Sequence, residues 1–191
     1  MDATLIIVAV VIIAILVAAV WWYSTRQRSA KLQEKFGPEY ARTVAEKGDT
    51  RKAEDELTDR QKRVSKLEIR PLAADERRRF NDEWRAVQAH FVDDPSAAVG
   101  DADTLVGRVM EARGYPVGDF EQRAADVSVD HPTVLEHYRA AHAVALRHAQ
   151  GQASTEDLRQ AMVNYRALFA ELLEEPTTVS TPPITSGRAT S

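Results

Sequence analysis

No cysteine occurs in the 191 residues, so disulfides, zinc ribbons, iron–sulfur clusters and thiol nucleophiles are all excluded. Glycine and proline are scarce, eight of each, which argues against a collagenous or broadly disordered chain. No run of β-branched residues alternates with polar ones, so strands are not expected. Glycine-rich phosphate loops, a nucleophile elbow and a paired acid–base signature are missing too. What remains, 44% hydrophobic and 28% charged residues, is a composition able to build one helical core with linkers.

The net charge of −4 hides an asymmetry. Residues 26–70 carry thirteen Lys/Arg against nine Asp/Glu, whereas residues 71–191 carry twelve Arg against nineteen Asp/Glu. The second part is too acidic for nucleic-acid binding, which needs phosphate-neutralising charge, so no nucleic-acid partner is expected.

Leu5 to Trp22 is an uninterrupted apolar run, extended by Ala3, Thr4 and Tyr23. About 21 helical residues reach roughly 31 Å, the thickness of a hydrocarbon core. Twelve of them are Leu, Ile or Val, which together favour insertion by about 5 kcal/mol. The expectation is a transmembrane anchor over residues 1–25, with the lipid bilayer as a partner and Trp21, Trp22, Tyr23, Arg26 and Arg28 at the membrane interface. A cleaved signal peptide is the competing reading, but its basic start and small-residue cleavage site are missing. Arg26, Arg28, Lys31, Lys35 and Arg42 follow the run and no Lys or Arg precedes it, which predicts a single-pass protein of the cell membrane with its soluble domain in the cytoplasm. An inverted topology would make that domain extracytoplasmic. Ala14 and Ala18 form a small-xxx-small pair that points to a homodimer.

Beyond the anchor the fold class reads as all-α: a charged helical stalk over 26–69, a four-helix-bundle-like domain over 70–175, and a Thr/Ser/Pro-rich disordered tail over 176–191. Gly37-Pro38 and Gly48-Asp49 break the stalk. Its 51–67 segment is dense in charge, with Ala53, Leu57, Val64 and Leu67 on a narrow stripe, and reads as an exposed helix. The bundle helices are marked by Phe80, Trp84, Val87 and Phe91; by Ala98, Ala102, Leu105 and Val109 after Asp94-Pro95; by Val134, Tyr138, Ala141 and Ala145 after Pro132; and by Leu158, Ala161, Met162, Tyr165, Leu168, Phe169 and Leu172 after Ser154. Short loops within the first and last pairs make each an antiparallel hairpin.

A longer connection separates the hairpins and concentrates Arg113, Tyr115, Arg123, Asp126, Asp130 and His131, the candidate partner surface. The plainer reading has Arg123 pairing with Asp126 and Asp130 capping the helix after Pro132. His131, His137, His142 and His148 have spacings of six, five and six, which do not suit a shared metal on one helix, so no metal or cofactor is expected. Arg77-Arg78-Arg79 reads as a solvated helix face.

Phe36-Gly37-Pro38-Glu39-Tyr40, Arg70-Pro71-Leu72, Trp84 to Pro95, Arg113-Gly114-Tyr115-Pro116-Val117, Phe120 to Pro132 and His137 to His142 together resemble a family of N-terminally membrane-anchored bacterial helical proteins, itself uncharacterised. The resemblance implies the architecture above and brings no catalytic residue. Ala73 departs from the family, which often has Ser there. The expected function is a non-enzymatic adaptor or scaffold for a protein partner at the membrane. The alternative is a small-ligand sensor or enzyme with its pocket between the bundle and the 114–131 connection.

Overall fold

The computed structural model describes residues 3–174, with the backbone alone at 3–11, 14, 18, 21, 24 and 25. Eight helices follow one another: α1 (Ala3–Phe36), α2 (Pro38–Lys47), α3 (Thr50–Val64), α4 (Ala74–Asp93), α5 (Pro95–Arg113), α6 (Phe120–Val127), α7 (Leu135–Ala149) and α8 (Thr155–Leu173). No strand occurs among the described residues.

Local chemistry sets the boundaries. Pro38 occupies the first turn of α2, where its missing N–H costs nothing. Asp49, Asp94, Asp119 and Ser154 each accept a hydrogen bond from the backbone N–H three residues on, starting α3, α5, α6 and α8. At α4 only half of a capping box exists: Glu76 reaches back to the Ala73 N–H at 2.8 Å, and alanine has no oxygen to return the bond. Gly114 ends α5 at φ +99°, where an added Cβ would stand 2.5 Å from the Glu68 carbonyl oxygen. Only glycine fits so close a crossing.

Helices α4, α5, α7 and α8 form the bundle. The α4–α5 and α7–α8 hairpins join through α5 against α8. Phe80, Trp84, Val106, Met110, Leu135, Tyr138, Tyr165, Leu168 and Phe169 are buried at its centre. The α8 face read from the sequence is buried at all seven of its positions. The helix expected after Pro132 begins later, at Leu135, because residues 132–134 form turns. Val134 and Ala145 are only partly buried there, and Leu135 and Val144 take the inward positions.

Two expectations about the N-terminal part are overturned. The first is the exposed stalk. Helices α2 and α3 fold back on the end of α1 around Leu32, Phe36, Tyr40, Leu57 and Val64, and Val129 from the connection closes this second core. Ala53 and Leu57 are fully buried. The apolar stripe of α3 was therefore a packing face, and burying a Leu or Phe stabilises by about 1.5–3 kcal/mol. The charges are engaged as well. Glu39, buried, accepts from Arg60 of α3 and Arg139 of α7, each at 3.0 Å, and so ties α2 and α3 to the bundle.

The second is the transmembrane anchor. Among the described residues no helix is long and apolar enough to cross a membrane. Of the expected span, the side chains of residues 12, 13, 15–17, 19, 20, 22 and 23 are described. The rest of the expected span, including Trp21, and the Ala14–Ala18 pair lie outside the described side chains, as the 176–191 tail lies outside the described residues.

Candidate functional site

Where α5 ends, the left-handed turn at Gly114 brings the chain back against residues 67–71, and the Arg70 N–H donates to the Arg113 carbonyl at 2.9 Å. A cavity of about 700 Å³ opens there, between the ends of α1, α3 and α8 and the connection. Four of the six residues singled out in the connection line it: Arg113, Tyr115, Asp130 and His131. Arg113 is only 4% exposed. Its Nη1 donates to the Leu172 carbonyl at 2.9 Å and faces His131 Nε2 at 3.5 Å. Arginine has no acceptor, so His131 Nε2 accepts and its Nδ1 proton points at Glu171 Oε1, 3.1 Å away. The Tyr115 hydroxyl donates to Asp130 at 2.7 Å. Burial, reinforced by the Asp130 carboxylate, pushes the Tyr115 phenol far above its ordinary range, so it stays a neutral donor.

The other two residues lie elsewhere. Asp126 is fully buried and takes its bonds from Arg63 of α3 at 2.8 Å and from Gln122, not from Arg123. Arg123 packs its guanidinium over Gly107 of α5. Asp130, held by Tyr115, does not cap α7, whose N-terminal flank Val134 makes no side-chain cap. Both local pairings assumed from the sequence thus give way to longer-range ones.

The residues expected at a membrane interface are placed as follows. Trp22 and Tyr23 are exposed, the Arg26 guanidinium lies over the Trp22 ring at 4.5 Å, and Arg28 pairs with Asp55 of α3 at 2.9 Å. The histidines diverge: His131 faces Glu171, His137 faces Asn164, His142 stacks on Phe120 and His148 meets Ser96. Among the described residues no three His, Asp or Glu side chains are grouped so as to hold a metal ion.

A second concave surface lay hidden in the sequence. Helix α4 packs on α5, and α8 on α5 and α7, while α4 and α8 meet where Trp84 stacks on Phe169 with ring centroids 4.8 Å apart. Outside that contact runs a groove of about 950 Å³, floored by Trp84, Phe169 and Leu173 and rimmed by Arg77, Arg78, Arg85 and Arg166. It continues past Trp84 to Phe91, Met162 and Val163. Arg78 and Arg166 form no ion pair among the described residues. The Trp84 indole N–H, though buried, also has no partner among the described residues. The available signal was the helical spacing of Arg77, Asn81, Arg85 and Gln88 beside the apolar stripe of α4. Only the packing shows that α8 sets Arg166 opposite.

No family model, curated protein or solved structure matches the chain.

Proposed function

We propose that the chain is a non-enzymatic adaptor that holds an acidic helical segment of a protein partner in the α4–α8 groove. The observation that supports this is the arginine rim on an apolar floor, in a part of the chain that is otherwise acidic. Helix-in-groove recognition needs an apolar trough to take the anchoring side chains. Tryptophan and arginine are the residues on which such interfaces concentrate their energy. The rim charges supply orientation and association rate more than affinity, and select an acidic partner over a basic one. The adaptor's place in this reading is a membrane surface. Ile12, Ile13, Ile15, Leu16, Val17, Val20, Trp22 and Tyr23 are each more than half exposed. Lys31 and Lys35 follow on the same helix and attract anionic headgroups.

A photo-crosslinking residue at Gln88 or Val163, two groove positions, tests the partner site in cells. A discrete adduct whose captured segment is acidic and amphipathic is expected. No adduct, or the same adduct from exposed Leu146 on α7, overturns the proposal. Flotation with anionic vesicles tests the location; a chain that stays at the bottom of the gradient refutes it.

A further inference from the structure

The geometry points to the cavity at the end of α5 as a binding site for a small zwitterion carrying a carboxylate, an apolar α-amino acid in type, with Arg113 as its carboxylate anchor. This goes beyond the adaptor reading and does not depend on it. Arg113 is a buried guanidinium without a carboxylate partner among the described residues. Its hydrogen bonds go to the Leu172 carbonyl and the His131 imidazole, both from Nη1, and its Nε has no partner among the described residues. A buried charge left in that state is unfavourable unless an opposite charge meets it. The fork of an arginine fits a carboxylate through two parallel bonds.

The surroundings narrow the class. Cavity charges are balanced, since Lys35 and Arg70 accompany Arg113 while Asp130, Glu171 and Glu174 oppose them. A polyanion such as phosphate meets three carboxylates there. A zwitterion sets its carboxylate on Arg113 and leaves its ammonium to Asp130, which Tyr115 holds in place through one oxygen. Val64, Leu67, Ile69 and Val129 provide an apolar wall for a side chain. Because the cavity is built jointly by α1, α3 and the bundle, an occupant bridges the two cores.

Isothermal titration of the full chain with leucine, 4-methylpentanoate and inorganic phosphate tests the site. Leucine is expected to bind tightest, 4-methylpentanoate at least tenfold more weakly, and phosphate not measurably. Arg113→Lys should weaken leucine at least tenfold. Should that variant not fold, Asp130→Asn serves instead, and is expected to bring leucine down to the affinity of its deaminated analogue. Binding of none of the three, phosphate tighter than leucine, 4-methylpentanoate as tight as leucine, or leucine affinity unchanged in the variants overturns the assignment.

Discussion

Replacing Glu39 with alanine probes the joint between the N-terminal helices and the bundle. Its carboxylate is 1% exposed and lies 3.0 Å from both Arg60 and Arg139, whose side chains are themselves only 7% and 11% exposed. With the carboxylate gone, among the described residues Arg60 keeps Glu56 and Arg139 keeps Glu121, which is 75% exposed and holds its geometry weakly. Two guanidiniums would then lie buried with little compensation. Breaking a buried pair in this way costs about 3–5 kcal/mol, a large part of the roughly 5–15 kcal/mol that stabilises a domain. Urea unfolding followed by circular dichroism measures the loss. Glu39→Gln keeps the shape and an acceptor, so its loss should be smaller, about 1.5–3 kcal/mol. Pairing Glu39→Ala with Arg139→Met should recover part of the cost, because the double change removes a buried charge along with its counter-ion. High salt should leave the effect in place, since screening acts mainly on exposed pairs. A loss below about 1 kcal/mol, or one abolished by salt, would refute the reasoning.

Leu57→Ala should destabilise by about 2–5 kcal/mol in the same assay; an exposed helix would register less than about 0.5 kcal/mol. Gly114→Ala should cost at least about 1–3 kcal/mol from backbone strain alone, with Cβ forced against the Glu68 carbonyl, and unchanged unfolding would contradict the crossing seen there. Burial holds the His142 imidazole below its ordinary pKa, against the opposing pull of Asp103 and Glu121 and with the push of Arg123. The unfolded chain therefore binds the extra proton first, so this contribution is present above about pH 6.5 and is lost as pH falls through the depressed folded value. Urea midpoints measured from pH 7.5 downward should show that loss, and His142→Phe, which keeps the stack on Phe120, should flatten it.

Much of the bundle was legible because its signals are local. Asp94-Pro95, the Ser154 cap and the seven-residue apolar face of α8 each specify a helix without help from the rest of the chain. The packing of α3 was not legible, since its stripe of Ala53, Leu57 and Val64 sits among charges that look solvated until their partners are known. Glu39 and Arg139 stand a hundred positions apart, a separation at which no spacing rule operates. The transmembrane reading rested on the apolar composition of residues 3–23, whereas among the described residues no helix is long and apolar enough to cross a membrane. In the connection, residue choice pointed to the right neighbourhood for Arg113, Tyr115, Asp130 and His131. It misassigned Asp126, whose partner Arg63 comes from a helix thought to be remote. The arginine groove escaped notice because three of its rim arginines belong to α4 and the fourth to α8, and composition alone reports both as ordinary helix surface.

Charge reversal of the groove tests the functional account most directly. In a chain carrying Arg78→Glu and Arg166→Glu, two exposed positions without ion pairs among the described residues, stability should stay within about 0.5 kcal/mol per site. The crosslink formed from Gln88 should disappear. An adduct that persists undiminished with both charges reversed would contradict the claim that this groove selects an acidic partner.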